Sequence, residues 1–181
     1  FALLEDVMTE IIEIFPSEYI HIGGDEAHKD KWKVCPHCQS MIKRLNLKDE
    51  DGLQSYFITR MEKFINSKGR KIIGWDEILD GGIAPNATIM SWRGFRGAIA
   101  AAEQGNYSIM TPTAYCYLDY NQYVPYLEPL AIGNFNTLQN TYSLNPIPPE
   151  LTKEQHKYIL GVQGNIWAEY IPDIQDLHTK L

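Results

Sequence analysis

The chain has 181 residues, a length that fits one domain with a substantial core. Apolar residues make up 44% and charged residues 22% of the sequence, which is typical of globular proteins. The formal net charge of −7 argues against a general nucleic-acid binder, and no apolar run approaches the roughly 20 residues of a membrane-spanning helix. Neither the ligand nor the compartment follows from composition.

Helical and strand patterns alternate along the chain. Apolar residues at helical spacing predict a helix over 1–15, which Pro16 ends. A second helix is predicted to begin with Asp51 as its cap and to end before Gly69. An alanine-rich helix over 98–104 follows, and Pro172 opens a terminal helix. Five short apolar segments predict strands: one through Ile20 and Ile22, and then 71–74, 87–91, 107–110 and 159–164.

Two segments show no sustained period. Residues 27–50 are charged and irregular, and they predict a long loop over the site, with a short helix around 41–45. Residues 113–150 are rich in Tyr, Asn and Pro, and their aromatic content predicts an ordered, functional excursion. Thr152, with Gln155 three residues later, resembles a capping box for a short helix.

The order of elements predicts parallel strands covered by helices, because apolar strands alternate with helical segments. Polar and aromatic residues follow the last apolar position of each strand. They are therefore expected on one rim, where barrels and open parallel sheets bind ligands. Five strands fit either an open sheet or the last five units of a (β/α)8 barrel, and a chain that opens inside a helix favours the barrel.

The segment from His21 to His28 carries the most specific signal. A short strand runs into Gly23 and Gly24 and then into two adjacent carboxylates, Asp25 and Glu26. In a regular strand these side chains would point to opposite faces, but glycine permits a turn that brings both to one pocket. Paired carboxylates tend to titrate apart, as a glycosidase or another general-acid enzyme requires. An acidic loop with a helix cap is the alternative.

Aromatic and polar residues at the ends of other strands fit a sugar pocket. Trp75, Trp92 and Trp167 follow three different strands, and each taken singly would be a core residue. Together, at the depth of the carboxylate pair, they predict apolar walls for a pyranose ring or an acetamido methyl group. Residues that could bind sugar hydroxyls are Tyr117, Asp119 and Glu169, although the last two could also be solvated loop charges.

A second acidic pair, Asp76–Glu77, also follows a strand. No glycine hinge precedes it, and we interpret Asp76 as the N-cap of a helix rather than as a catalytic group.

The cysteines do not form a disulfide framework. Cys35 and Cys38 have the C-x-x-C spacing of a zinc or redox site, but no second ligand pair completes a zinc site. Structural thiols or a local disulfide are the preferred interpretations, and Cys116 is expected to serve packing. We predict no metal and no cofactor.

The motifs resemble those of one enzyme family. His21–Glu26 matches the H-x-G-G-D-E signature of glycoside hydrolase family 20, the β-N-acetylhexosaminidases. Its later motifs follow in the right order and extend the resemblance over essentially the whole chain. They are Trp75-Asp76-Glu77, Ser91-Trp92-Arg93-Gly94, Tyr117-Leu118-Asp119 and Trp167-Ala168-Glu169.

The resemblance implies a catalytic (β/α)8 barrel that removes terminal, non-reducing, β-linked N-acetylglucosamine or N-acetylgalactosamine from glycans. In this family the 2-acetamido oxygen of the substrate attacks the anomeric carbon and forms an oxazolinium intermediate. Glu26 would then be the general acid and, later, the base. Asp25 would accept the acetamido N–H, and Tyr117 would hydrogen-bond the acetamido oxygen.

The resemblance also implies the binding residues. Trp75, Trp92 and Trp167 would wall in the acetamido methyl and the sugar face. Asp119 and Glu169 would bind the hydroxyls at C4 and C6, and His21 belongs to the same substrate-binding set. The family suggests a secreted, periplasmic or lysosomal protein.

One departure concerns the architecture. The family places an arginine for sugar hydroxyls near the end of its first strand, whereas residues 1–181 resemble the barrel only from the helix before strand four to the helix after strand eight. We therefore expect a partial catalytic domain, a fragment with two open sheet edges through which copies could associate.

Two other functions remain open at this point. One is a non-catalytic N-acetylhexosamine-binding fragment, inactive as the isolated chain. The other is a two-carboxylate retaining glycosidase that uses Asp76 or Glu77 as nucleophile. The preference between the glucosamine and galactosamine epimers is not predicted.

Overall fold

A computed structural model describes residues 1–180 of the chain. Its five strands form one sheet in which each strand pairs in parallel with the next, in chain order. The strands are β1 (Tyr19–His21), β2 (Lys71–Trp75), β3 (Thr88–Ser91), β4 (Ser108–Met110) and β5 (Ile159–Val162).

Helices connect the strands. Three 3-10 turns lie between strands, at Asp76–Leu79, Pro125–Leu127 and His156–Tyr158, and a fourth, Ala168–Tyr170, follows β5. The α-helices are α1 (Ala2–Ile14), α2 (Asp30–Val34), α3 (Pro36–Arg44), α4 (Glu50–Ser67), α5 (Arg96–Glu103), α6 (Thr113–Cys116), α7 (Leu138–Tyr142) and α8 (Ile174–Lys180).

The core lies between the sheet and the helices that cover it. Ile72 and Ile89 from the strands pack with Ile58 and Ile65 from α4, and all four are almost fully buried. Ala101 in α5 is fully buried, since its small side chain lets the helix approach the sheet closely. The described residues include no helix that is both long enough and apolar enough to cross a membrane.

The predicted C-terminal end of α4 is confirmed, and the predicted N-cap is wrong. Asp49, not Asp51, is the N-cap, because the Asp49 carboxylate accepts a hydrogen bond from the Gly52 N–H at 3.0 Å. Gly69 follows the helix with a φ of +74°, as the glycine predicts.

The short helix predicted around 41–45 is confirmed as part of α3, but the rest of the predicted loop over 27–50 is mostly wrong, because α2 and the first half of α3 occupy it. Pro36 stands at the start of α3, where its missing N–H costs nothing. The excursion over 113–150 contains α6, a 3-10 turn and α7. Asn136 links the residues before α7 to α6, because Asn136 Nδ2 donates a hydrogen bond to the Tyr115 carbonyl at 2.9 Å.

One of the two hydrogen bonds of the predicted Thr152–Gln155 capping box is present. The Gln155 side chain accepts a hydrogen bond from the Thr152 N–H at 2.9 Å, ahead of a short 3-10 turn.

Candidate active site

The turn after β1 has the unusual backbone that the glycines predict. Gly23 and Gly24 have φ values of +70° and +101°, and two hydrogen bonds hold their carbonyls. Trp75 N–H donates to Gly23 O at 2.9 Å, and Gln54 Nε2 donates to Gly24 O at 2.8 Å. A Cβ atom on Gly24 would overlap the side chain of Ile78. Both the conformation and the packing of this turn therefore require glycine at position 24.

Glu26 also lies in the left-handed region, with a φ of +47°. A residue with a side chain pays on the order of 1–3 kcal/mol for a sparsely populated backbone conformation, and such residues cluster at functional sites. Asp25 and Glu26 are both solvent-exposed. The turn thus presents two adjacent carboxylates to solvent at the carboxyl end of β1.

His21 ends β1 and contacts two neighbouring groups. Its Nδ1 accepts a hydrogen bond from the Gly23 N–H at 3.1 Å, and its ring centroid lies 4.9 Å from that of Trp75. Enclosure of the ring lowers the pKa of His21, and the charge of Asp25 opposes that shift. The neutral imidazole is therefore favoured, and it stabilises the turn that carries the carboxylates.

Aromatic rings from all five strand ends form a continuous series of contacts. From His21 and Trp75 the series passes to Trp167, whose centroid is 6.0 Å from that of Trp75. Trp167 lies 6.1 Å from Tyr117, and Tyr117 stacks on Trp92 at 6.4 Å with 22° between the ring planes. The structure thus brings together the predicted site residues that follow β1, β2, β3, β4 and β5.

The hydroxyl of Tyr117 is kept protonated. The residue is buried, and burial raises the pKa of Tyr117 to about 12. A phenol that does not ionise near neutral pH is available to donate a hydrogen bond. This is the property required of a group that binds a carbonyl oxygen.

The segments that carry Tyr117–Asp119 and Trp167–Glu169 are joined by backbone hydrogen bonds. Leu118 N–H donates to Asn165 O at 2.8 Å, and Asn165 N–H donates to Cys116 O at 2.7 Å. These bonds extend the pairing of β4 and β5 beyond the ends of the strands. As a result, the two motifs lie side by side on the rim.

Asp119 is a buried carboxylate with an unused oxygen. It is 5% exposed, and its Oδ1 has no hydrogen-bond partner among the described residues. Burial raises the pKa of Asp119, the charge of Glu169 raises it further and Lys180 opposes the shift. A buried acceptor of this kind is costly unless it is satisfied, and a ligand hydroxyl would satisfy it. Glu169 itself is exposed.

The prediction that Asp76 is a helix N-cap is wrong. Trp75 is the cap of the 3-10 turn, and Asp76 is 2% exposed. Its carboxylate accepts hydrogen bonds from the backbone N–H groups of Trp92 and Arg93, each at 3.1 Å, and from Arg93 Nε. Asp76 therefore organises the turn after β3, because the buried carboxylate finds three donors there rather than at its own helix.

Sequence reasoning assigned no role to Gln54, and it named Arg93 only as a member of the Ser91-Trp92-Arg93-Gly94 motif. Gln54 lies on the buried face of α4 and supports the Gly24 carbonyl. A polar residue between the apolar positions Leu53 and Phe57 was the available signal, since a buried amide needs a partner.

The cysteines show no link to this rim chemistry. All three are free thiols, so the local disulfide is not formed here. Burial raises the pKa of Cys116 to about 11, which fits the packing role predicted for it. Within residues 1–180 no cluster of three or more His, Cys, Asp or Glu side chains could hold a metal.

An apolar cavity lies apart from the rim site. It has a volume of about 490 Å³ and lies beside α4 and the turn, and its lining includes Asp25, Trp32 and Gln54. It shares only Asp25 with the predicted site residues, so we assign the site from the strand ends rather than from this cavity.

The fold and the rim together define an enzyme-like parallel β/α protein, with carboxylates and aromatic side chains at the carboxyl ends of its strands. The sequence model of the glycosyl hydrolase family 20 catalytic domain matches residues 1–181. The chain belongs to glycosyl hydrolase family 20.

Individual relatives agree with this assignment. A β-hexosaminidase of Porphyromonas gingivalis is 51% identical over 172 residues, which cover 94% of this chain and 22% of that protein. A β-hexosaminidase of Vibrio furnissii is 30% identical over 174 residues, which cover 94% of this chain and 28% of that protein. The chain thus spans less than a third of the length of these two relatives.

Solved structures confirm the predicted fold. The exo-β-N-acetylglucosaminidase of Vibrio harveyi, solved in complex with N-acetylglucosamine, superposes with a TM-score of 0.86 at 28% identity, over 99% of this chain and 28% of that one. The β-N-acetylhexosaminidase of Bacteroides fragilis superposes with a TM-score of 0.77 at 28% identity, over 99% of this chain and 39% of that one. The five parallel units are accordingly part of a (β/α)8 barrel.

Proposed function

We propose that residues 1–181 are the part of a β-N-acetylhexosaminidase barrel that runs from the helix before strand four to the helix after strand eight. The whole protein would release terminal β-linked N-acetylhexosamine from glycans or glycoconjugates. One observation carries the proposal: a single aromatic series joins the ends of all five strands, and its first ring belongs to the turn that presents Asp25 and Glu26.

The proposed mechanism uses the substrate's own acetamido group as nucleophile. Glu26 protonates the leaving oxygen, the acetamido oxygen closes on the anomeric carbon, and Glu26 then removes a proton from the water that opens the oxazolinium ring. Asp25 accepts the acetamido N–H and offsets the developing positive charge. Both groups stand on the strained turn after β1, which supports these roles.

The remaining residues would bind and orient the sugar. The Tyr117 hydroxyl would donate a hydrogen bond to the acetamido oxygen and keep its proton, in keeping with a raised pKa of about 12. Trp75, Trp92 and Trp167 would form apolar walls, and His21 would support the first of them. Asp119 and Glu169 would accept hydrogen bonds from sugar hydroxyl groups, and within residues 1–180 the buried Oδ1 of Asp119 is free to do so.

The test compares the chain alone with the same chain joined to three preceding β/α units. We expect the complete barrel to release p-nitrophenol from p-nitrophenyl N-acetyl-β-glucosaminide, and a thiazoline mimic of the oxazolinium ring to inhibit it competitively. Binding of N-acetylglucosamine without turnover would favour the non-catalytic alternative. A trapped covalent glycosyl-enzyme would instead contradict substrate assistance.

We also propose that the isolated chain can associate with a second copy. Within the described residues β1 pairs on one side with β2, and β5 pairs on one side with β4. Leu160 and Val162 of β5 are about half exposed, at 49% each, and an unpaired apolar edge is a template for another strand. Sedimentation velocity should show dimers or larger species that Val162→Lys reduces, and a strictly monomeric chain would contradict the proposal.

A further inference from the structure

The acidic pair after β2 acts on the residue that follows β3. Glu77 Oε2 accepts a hydrogen bond from Trp92 Nε1–H at 2.8 Å. Asp76 accepts the backbone N–H groups of Trp92 and Arg93. Two neighbouring carboxylates therefore hold one tryptophan, Asp76 by its backbone and Glu77 by its ring.

Glu77 is a largely buried carboxylate, and its close side-chain contacts come from the turn after β3. Its side chain is 11% exposed, and burial raises the pKa of Glu77, with the Trp92 indole and Arg93 opposing the shift. Arg93 Nε lies 3.9 Å from Glu77 but is paired more closely with Asp76. The Trp92 indole is the one side-chain donor that hydrogen-bonds the Glu77 carboxylate within residues 1–180. An apolar side chain would usually be cheaper to bury at such a position.

We propose that Glu77 is a positioning residue that fixes the orientation of the Trp92 ring, and with it one wall of the sugar pocket. The terminal torsion of a tryptophan side chain is broad, and a hydrogen bond at Nε1 restricts it. The oriented ring stacks on Tyr117 with 22° between the planes. The consequence for catalysis rests on the proposed function, whereas the orientation of the ring does not.

The orientation can be measured without turnover. In the ¹⁵N-labelled 181-residue chain, the Trp92 indole resonance is identified by its loss in Trp92→Phe. We expect it to shift as pH falls through the raised pKa of Glu77, because protonation weakens the acceptor. Other titratable or charged groups lie nearby: Asp76 and Arg93 face Glu77, and Tyr117 faces the Trp92 ring. Glu77→Gln therefore separates the titration of Glu77 from that of these neighbours. This variant keeps an acceptor oxygen and should abolish the low-pH shift while retaining slow indole exchange.

Glu77→Leu removes the acceptor and should speed exchange of the Trp92 indole proton by about 10-fold or more. The matched control is Asp80→Asn, which removes a carboxylate near Arg93 that has no contact with the indole. An unchanged Trp92 indole in folded Glu77→Leu would overturn the proposal. So would a low-pH shift that persists in Glu77→Gln.

In the complete barrel, a change in the orientation of the Trp92 ring should change the preference between substrates. We expect Glu77→Leu to lower kcat/KM for the N-acetyl substrate by about 10-fold to 100-fold, and to lower it less for an N-propionyl analogue. Glu77→Gln should stay close to the parent, which a role that depends on the negative charge of Glu77 would not predict. Equal losses for both substrates in Glu77→Leu would overturn the positioning role. If the barrel proves inactive, the proposed function fails, while the indole measurements still decide the orientation.

Discussion

Glu26→Gln is expected to abolish most of the turnover of the complete barrel while leaving its fold intact. Glutamine cannot give or take the proton, and general acid–base catalysis contributes about 10²–10⁴-fold to such reactions. The loss should be larger for a disaccharide than for p-nitrophenyl N-acetyl-β-glucosaminide, because a sugar leaving group needs protonation more than p-nitrophenolate does. Steady-state kinetics with both substrates measure this difference.

The design separates chemistry from folding. Glu26 is exposed, so the substitution removes no buried contact, and circular dichroism and N-acetylglucosamine binding should match those of the parent. Glu103→Gln, at the exposed end of α5, is the matched control and should retain full activity. Normal rates in Glu26→Gln would show that the proton is carried by another group.

Asp76→Asn is expected to give the largest loss of stability among substitutions of single charged residues on the rim. The side chain keeps its shape but offers an N–H₂ group to a site where Asp76 accepts hydrogen bonds from two backbone N–H groups and from Arg93. We expect a loss of about 3 kcal/mol in the free energy of unfolding, since Asp76 is buried. Arg93, which is 44% exposed, can regain water and limits the loss.

Urea unfolding with linear extrapolation measures this loss. Asp80→Asn is again the control: Asp80 also contacts Arg93, at 3.4 Å, but it is 42% exposed. An exposed pair contributes about 0–1 kcal/mol, so the control should lose less than that. Equal losses in the two variants would mean that the burial of Asp76 contributes nothing.

Local patterns were sufficient where one physical requirement dominates. A row of apolar residues at helical spacing and a following glycine predicted α4 and its end, since left-handed backbone at Gly69 favours glycine. The paired glycines before Asp25 likewise predicted the turn after β1. The boundaries that failed, such as Asp51 as the cap of α4, depended on a choice between nearby residues of equal capping ability.

The sequence by itself determined the parallel β/α order, the hinge before the carboxylates and the family, because these depend on periodicity, on glycine and on contiguous motifs. Only the tertiary structure decided what the second acidic pair does. Asp76 and Glu77 follow a strand, as the proposed catalytic pair does, so their position in the sequence does not reveal their role. Their partners, Trp92 and Arg93, lie 15 to 17 positions further along the chain. Hydrogen bonds between residues so far apart in sequence exist only after β2 and β3 have paired, and no local pattern can encode them.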